Sequence, residues 1–197
     1  MFRKSITIFL LTAFAGFSAW QCGETAKAKE EQYASLSDTV KYVGINTCKE
    51  CHYDIYQTFI RTGMGMSFDK ASPEKSSAVF GKQKPVYDSF KNLYYQAFWE
   101  GDSLLIREFR LAGRDTTHLR IETISYIVGS GQHTNSHIIN KGGYLHQAPL
   151  TFYTQKGVWD LPPGFENGNN TRFSRLIGLE CMSCHNAIPV LKEGSFN

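Results

Sequence analysis

The stretch Cys48-Lys-Glu-Cys51-His52 organises this chain, and Cys181-Met-Ser-Cys184-His185 repeats it near the other end. Each copy carries two thiols three residues apart with a histidine directly after them. This spacing suits covalent attachment of a c-type haem, because each thiol can add to a porphyrin vinyl group while the imidazole binds the iron. A shuffled chain of this composition would carry roughly 0.004 such pentads. The sequence therefore predicts two covalent haem c groups, with thioether bonds from Cys48, Cys51, Cys181 and Cys184 and iron ligands His52 and His185.

The same four cysteines have other conceivable uses. They could supply the four ligands of an all-thiolate zinc site, or they could form disulfides. Neither use explains the histidine that follows both pairs at the same offset. A thioredoxin-like redox motif is also disfavoured, because no βαβ pattern surrounds the pairs. Haem attachment is the preferred interpretation, and zinc and disulfides remain the alternatives.

The N-terminus has the charge and length of a secretory signal. Arg3 and Lys4 precede a mostly apolar, uncharged run from Ile6 to Trp20, which is short for a membrane span. We expect residues 1–21 to be this signal, residues 22–41 a flexible charged tether and residues 42–197 a dihaem cytochrome domain. Cys22 is either the acylated first residue of a lipoprotein or part of an ordinary signal peptide. The predicted location is periplasmic or otherwise extracytoplasmic, with a lipid anchor to a membrane if Cys22 is acylated.

The length and net charge of the chain indicate one domain and argue against a nucleic-acid partner. Without the signal about 175 residues remain, which is enough for one compact domain with its own core. The formal net charge is only +3 and the isoelectric point is about 8.5. Because no stripe of basic residues accompanies this balance, we expect no nucleic-acid partner.

The first pentad is predicted to open a helix. Thr47 and Glu50 have the spacing of a capping box, with Thr47 as the N-cap. Gly63 is the expected end of the helix. The apolar positions between them recur at helical spacing and should face the haem or the core: Ile55, Tyr56, Phe59 and Ile60.

Two methionines follow this helix in Thr62-Gly-Met64-Gly-Met66-Ser. A thioether sulfur suits haem iron and raises its reduction potential when it stands opposite histidine. Flanking glycines let the backbone approach a porphyrin closely. The alternative role is the filling of a packing gap. We predict that one of the two is an iron ligand, with Met64 ahead of Met66.

The middle of the chain predicts β-structure. Residues 69–86 are polar and predict a loop. Runs rich in β-branched and aromatic residues, separated by glycine-containing turns, then predict five strands: Leu93–Trp99, Ser103–Leu111, Thr116–Ile127, Ser136–Asn140 and Tyr144–Tyr153. The predicted fold class is α+β, an antiparallel β-meander inserted between two short haem-binding helical segments, with much irregular loop.

Histidines outside the pentads are the candidate distal ligands. His133 and His137 stand four residues apart behind Gly129-Ser-Gly, and at that spacing they should share a face. We predict that one of them is a distal haem ligand, with His133 first, and the alternative is hydrogen bonding within the loop. His118 alternates with charged residues, so it should face solvent with Leu119 on the opposite side. His146 falls on the apolar face, where a hydrogen-bonded core role is preferred.

Two features precede the second pentad. The turn Trp159-Asp-Leu-Pro-Pro-Gly-Phe165 either shields the second haem from water or forms an ordinary packed corner. Arg172 and Arg175 could pair with haem propionates, although exposed surface arginines are the usual case. Pro189 should end the helical turn that contains His185.

These motifs, taken in order, resemble the N-terminal module of exported bacterial multihaem cytochromes of the cytochrome c-552/c-554-like group. The matching segments are CKECH (48–52), TGM (62–64), GSGQHTNSH (129–137), GYLHQAPLTFY (143–153), WDLPPGFE (159–166) and RFSRLIGLECMSCHN (172–186). The resemblance implies that Met64 and His133 occupy distal-ligand positions and that electrons move between closely spaced haems. Larger relatives continue into further pentads, so this chain is expected to be either a two-haem version or the N-terminal part of a longer protein.

The expected function is that of an exported dihaem c-type cytochrome carrying single electrons between redox partner proteins. One alternative is an oxidoreductase in which a haem without a sixth protein ligand acts on a small nitrogen oxide, hydroxylamine or peroxide, with His137 or His146 as the distal acid–base group. A second alternative is a non-catalytic haem module of a membrane-surface complex. No catalytic dyad or triad is visible, so no catalytic residue is predicted.

Overall fold

The computed structural model describes Tyr33, Ser37 and residues 39–41, 43–81, 83–185, 191 and 193–195. The predicted signal, Cys22 and Pro189 lie outside the described residues, as does most of the tether. The chain divides into two units, one that ends at Gly44 and one that begins at Ile45. In the first unit, the Val40 amide donates to the Ser37 carbonyl at 2.9 Å and forms a turn. All further elements belong to the second unit.

The second unit is mostly antiparallel β-sheet with three short helices. The helices are α1 (Ile45–Cys51), α2 (Tyr53–Phe59) and α3 (Leu179–His185). The strands are β1 (Phe68–Lys70), β2 (Val86–Asp88), β3 (Leu93–Glu100), β4 (Ser103–Ala112), β5 (Asp115–Thr123), β6 (Tyr126–Val128), β7 (Thr134–Lys141), β8 (Tyr144–Tyr153), β9 (Val158–Asp160) and β10 (Arg175–Leu176). The α+β class with antiparallel pairing agrees with the prediction. No helix among the described residues is long and apolar enough to cross a membrane.

The strands form two sheets rather than one continuous meander. The four-stranded sheet has the order β2-β3-β4-β5, and the six-stranded sheet has the order β1-β6-β7-β8-β10 with β9 paired to β8. The predicted strand over residues 116–127 is divided at Ile124 and Ser125. The Ile124 amide donates to Leu104 in the four-stranded sheet, whereas the Ser125 amide donates to Ile138 in the six-stranded sheet, each at 2.8 Å. The chain therefore passes from one sheet to the other at this point.

The main core lies between the inner faces of the two sheets. Residues along β3 alternate between buried and half-buried, as expected for a strand with one face in a core. The fully or nearly fully buried members of this core include Tyr95, Leu104 and Ile106 from the four-stranded sheet and Ile127, Ile139 and Leu150 from the six-stranded sheet. A second, smaller cluster lies on the outer face of the six-stranded sheet, where Ile138 contacts Ile177 and Met182. Through this cluster α3 packs on the sheet, and this contact positions the second pentad.

Several local predictions are wrong. The helix of the first pentad begins at Ile45, so Thr47 lies inside it rather than at its N-cap, and helical structure ends at Phe59 before Gly63 is reached. The polar stretch 69–86 is irregular only from residue 71 to 85, because β1 and β2 occupy its two ends. β1 forms by pairing with β6, about 60 residues further along the chain, whereas β2 forms a local hairpin with β3. Local composition does not reveal the pairing of β1.

Candidate cofactor site

The first pentad spans the junction of two helices. His52 separates α1 from α2 and has φ −120° and ψ 47°, outside the helical region. The chain stays hydrogen-bonded through this break, because the His52 amide donates to Cys48 and the Tyr56 amide donates to His52, each at 2.9 Å. Cys48, Cys51 and His52 are all exposed. The two thiols and the imidazole are therefore accessible at the surface of one short helical segment.

The two helices of the first pentad lack a core of their own. Neither α1 nor α2 contains a buried residue. Ile55 is 65% exposed and Phe59 is 38% exposed, although the sequence pattern predicts that both face a haem or a core. Burial of one such side chain is worth about 1.5–3 kcal/mol. Seven-residue helices are marginal without tertiary contacts, so an apolar group seated on this face would stabilise them.

The second pentad lies beside a cavity on the outer face of the six-stranded sheet. Met182 is buried and holds α3 to the sheet, whereas both thiols and His185 are exposed. The cavity has a volume of about 250 Å³. Its lining includes Val128, Gly129, Ser136, Ile138, Gln147, Ile177, Cys181 and His185.

The segment that carries Met64 contacts both the histidine-bearing turn and the second pentad. The Gly129 amide donates to the Ser67 carbonyl at 2.6 Å, and the Ser67 hydroxyl donates to the His185 carbonyl at 3.2 Å. A Cβ atom at Gly63 would lie 3.9 Å from the Ser130 hydroxyl. Met64 itself is 74% exposed. The structure thus brings together the Met64 segment, the turn that leads to His133 and the end of α3.

Gly129 is required by the geometry of this turn. Its φ is +104°, a value that side chains with a Cβ rarely adopt. A Cβ at this position would also collide with the Thr134 carbonyl oxygen. Glycine therefore allows the backbone at the start of this turn to approach Thr134, the first residue of β7.

His133 lies at the surface and His137 in the core, so the prediction that they share a face is wrong. β7 begins only at Thr134, so strand alternation does not extend back to His133. His133 is exposed, and the Gln155 side-chain amide donates to its Nδ1 at 2.8 Å. As an iron ligand His133 would bind through Nε2, and Gln155 would then present its oxygen to Nδ1–H.

His137 is fully buried and contributes to the lining of the cavity beside α3. Its ring stacks on Trp159, with centroids 5.2 Å apart, and Nδ1–H donates to the Leu150 carbonyl at 2.9 Å. That carbonyl lies where the pairing of β7 with β8 is irregular, next to Pro149, which has no amide to donate. Burial lowers the pKa of His137 to about 4, and Nε2 has no hydrogen-bond partner among the described residues. His137 is thus a neutral imidazole whose Nε2 is buried as well as unpartnered among the described residues.

Trp159 packs against aromatic neighbours, as in a packed corner. Its ring contacts Phe80 and Phe152 edge-on, with centroids 5.5 and 5.4 Å away, in addition to His137. The indole N–H donates to the Val79 carbonyl at 3.0 Å. The indole therefore fixes the ring plane of His137.

The other two histidines of the sheets lie on inner faces. His118 is only one-third exposed, and its Nε2 lies 2.9 Å from the carboxylate of Glu108, whose side chain is fully buried. The apolar neighbour Leu119 is 58% exposed. The predicted orientation of this strand is therefore inverted. His146 is half-buried opposite Ile139, and its Nδ1 is buried without a hydrogen-bond partner in the described part of the chain.

Both arginines before the second pentad already have partners within the protein. Arg172 donates from both Nε and Nη2 to Glu108, with the Nε contact at 2.8 Å. Arg175 donates to the Pro163 carbonyl at 3.2 Å and lies over the Phe165 ring. Sequence reasoning missed the buried Glu108. Its position in phase with Leu104 and Ile106 on β4 is the signal that could have identified it.

The described cysteines bear on the zinc and disulfide alternatives. All four are exposed. Among residues that the structure describes, no three His, Cys, Asp or Glu side chains lie close enough together to hold a metal ion. An all-thiolate zinc site needs four ligands, whereas haem needs only axial ligands because the porphyrin supplies the rest.

Comparison with known proteins yields no relatives: no protein-family model, no curated protein and no solved structure matches this chain.

Proposed function

We propose that this chain is an exported dihaem c-type cytochrome that carries single electrons between redox partner proteins. One observation carries the proposal. At the first pentad, two exposed thiols and an exposed imidazole stand on helices without a buried residue, next to the exposed apolar side chains Ile55 and Phe59. A covalently attached porphyrin is a flat apolar group that would cover such a face.

The second pentad supports the same assignment by a different contact. α3 is anchored to the six-stranded sheet through Met182, while Cys181, Cys184 and His185 remain exposed. Two further apolar side chains near α3, Leu176 and Leu179, are 57% and 46% exposed. A second haem attached here would cover part of this exposed apolar surface.

Each residue of the site has one role in this proposal. Cys48, Cys51, Cys181 and Cys184 would form the thioether bonds, and His52 and His185 would bind the two irons. Met64 and His133 would supply further iron ligands. His137, whose Nδ1–H is held by Leu150, is fully buried and could bind iron only if its surroundings opened. Bound haem iron supplies one-electron chemistry, whereas the chain sets its potential through ligand identity, burial and solvent access.

The proposed location is extracytoplasmic, because thioether attachment is completed outside the bacterial cytoplasm. Redox proteins are the expected partners. Attachment to a membrane through Cys22 belongs to the same proposal. Fractionation of cells that export a Cys22→Ser variant tests the membrane attachment. Loss of an acyl anchor would move the protein from the membrane fraction to the soluble fraction.

The cavity beside His185 favours a second candidate function. A volume of about 250 Å³ would admit a small nitrogen oxide, hydroxylamine or peroxide. If the second haem lacks a distal protein ligand, its iron would be open to such a molecule, and the chain would be an oxidoreductase.

Optical and redox titration separates these functions. For an electron carrier we expect two low-spin haems whose spectra do not change with cyanide or nitric oxide. Met64→His should lower one midpoint potential, because a thioether ligand raises the potential relative to imidazole. Met66→His is the matched control and should leave both potentials unchanged. A high-spin haem that binds cyanide in the wild-type protein would contradict the carrier function and favour the oxidoreductase.

A further inference from the structure

We propose that Lys75 is a positioning residue that joins the two segments carrying the predicted distal ligands Met64 and His133. The proposal rests on the function proposed above for these ligands. The contacts that support it do not involve the pentads, so the junction of the two segments can be tested separately from haem attachment.

The Lys75 ammonium contacts the main chain of both segments. Its Nζ donates to the Met66 carbonyl and, at 2.7 Å, to the Gly129 carbonyl. Met66 lies two residues after Met64, and Gly129 begins the turn that leads to His133. A single cation therefore connects backbone atoms 63 residues apart in sequence.

The environment of Lys75 indicates a structural commitment rather than a solvated surface lysine. The residue is half-buried, and burial lowers the pKa of its amine, while the nearby Asp69 carboxylate opposes that change. A desolvated ammonium needs hydrogen-bond acceptors, and two carbonyl oxygens supply them. Hydrogen bonds from a charged donor are worth roughly twice those between neutral groups.

Other contacts complete the junction around Lys75. The side-chain amide of Asn135 also donates to the Gly129 carbonyl, at 3.3 Å, and its oxygen accepts hydrogen bonds from the Ser77 amide and hydroxyl at 2.7 and 2.6 Å. The Gly129 amide donates to the Ser67 carbonyl at 2.6 Å. Lys75 is the one cation among these contacts of the described residues, and its removal leaves two partly buried carbonyls without their charged donor.

The test compares Lys75→Met with Lys70→Met in the full-length exported protein. Lys70 is an exposed lysine on β1, five residues away, and serves as the matched control. Hydrogen–deuterium exchange of peptides covering residues 60–68 and 127–134 is measured first. We expect both peptides of Lys75→Met to exchange about tenfold faster or more, with no change in Lys70→Met.

The second readout is the optical and electron paramagnetic resonance spectrum of the same proteins. Lys75→Met should retain both covalent haems, because the pentads are intact, but convert part of the iron from low spin to high spin. A lysine with only a general stabilising role would lower the melting temperature without this spectral change. Lys75→Arg, which retains a cationic donor, should restore part of the low-spin signal.

Unchanged exchange in Lys75→Met, or unchanged spectra in a haem-containing Lys75→Met protein, would overturn the proposal, as would equal changes in Lys70→Met. If Lys75→Met does not fold, the same measurements on Lys75→Gln test the proposal. The same changes are expected there, because the neutral amide reaches less far and can donate to fewer carbonyls. A wild-type protein without covalent haem refutes the proposed function and the ligand-positioning role with it. The exchange measurement then still decides whether Lys75 joins the two segments.

Discussion

At the scale of single residues, the buried carboxylate of Glu108 determines how the segment before the second pentad is held. Burial by itself raises the pKa of Glu108, but hydrogen bonds from Arg172 and His118 outweigh it and hold the pKa below its usual range. Arg172 has φ +60°, which is unfavourable for a residue with a Cβ. The ion pair thus compensates for a strained backbone position nine residues before Cys181.

We expect Glu108→Gln to lower the free energy of unfolding by about 2 kcal/mol at pH 7, because the buried Glu108 side chain loses its charge-assisted hydrogen bonds to Arg172 and His118. The folded-state pKa of Glu108 is lowered, so its stabilising effect is complete above the unfolded pKa of about 4.3 and is lost as pH falls through the folded pKa. The difference between variant and wild type should therefore shrink in acid. Urea unfolding at pH 7 and at lower pH measures both effects.

Glu122→Gln is the control for this prediction. Glu122 also forms two ion pairs, with Arg120 and Lys141, but it remains partly exposed. Its replacement should cost at most about 1 kcal/mol, the usual range for surface pairs. Equal losses for the two variants would contradict the role assigned to Glu108.

The hydrogen bond between Gln155 and His133 gives a second prediction at this scale. If His133 binds iron through Nε2, then Gln155 sets the orientation of the ring from Nδ1. Gln155→Leu should shift one midpoint potential, and His133→Leu should produce a high-spin haem that binds cyanide. Gln132→Leu, an exposed neighbour in the same turn, should change neither. A low-spin spectrum in His133→Leu would remove His133 from the set of ligands.

At the scale of elements, the helices of the two pentads differ in what supports them. α1 and α2 have no buried residue, whereas α3 packs through Met182 against Ile138 and Ile177. Each helix has seven residues, too few for independent stability in water. The helices of the first pentad should therefore depend on an attached haem more strongly than the helix of the second pentad does.

We expect the double variant Cys48→Ala/Cys51→Ala to lose amide protection over residues 45–59 while the two sheets stay protected. The matched variant Cys181→Ala/Cys184→Ala should retain part of the protection of α3, because its contact with the sheet does not involve the thiols. Hydrogen–deuterium exchange followed by mass spectrometry measures both. Full protection of residues 45–59 without haem would show that the polypeptide alone supports these helices.

The strands show what local pattern can and cannot establish. Alternation and turn residues locate β3, β4 and β8 to within one residue of their observed ends. The orientation of β5 was predicted wrongly, because His118 and its charged neighbours resemble a solvent-facing set. Pairing of Glu108 with Arg120 places that set on the inner face. The partner that makes this possible, Arg172, is 64 residues from Glu108 and invisible to any local pattern.

The observed orientation of β5 makes a stability prediction. Leu119 is 58% exposed, so Leu119→Ala should change the free energy of unfolding by at most about 0.5 kcal/mol. Leu104 is fully buried between the sheets, and Leu104→Ala should cost about 3 kcal/mol. Chemical denaturation of both variants tests this contrast. If Leu119→Ala instead lowers the free energy of unfolding about as much as Leu104→Ala does, Leu119 faces the core, as the sequence pattern predicts.

At the scale of the whole molecule, composition and strand pattern are sufficient for the α+β class but not for two sheets. The division depends on Ile124 and Ser125, whose amides bond to different sheets, and on β1 and β10, which pair with strands far away in sequence. In the candidate site, the pentads and the Met64 and His133 segments are recognisable in sequence because their residue types are chemically specific. The junction of these segments through Lys75 and Ser67 cannot be recognised in the sequence, because it uses main-chain carbonyls that every residue has.

The central claim is that two haem groups are covalently bound, one at each pentad. The most direct test is the intact mass of the protein exported from a host that is competent for cytochrome c maturation. We expect a mass excess of two haems for the wild type and of one haem for each of the variants Cys48→Ala/Cys51→Ala and Cys181→Ala/Cys184→Ala. An exported wild-type protein with no covalent haem, or one that carries zinc on its thiols, would contradict it.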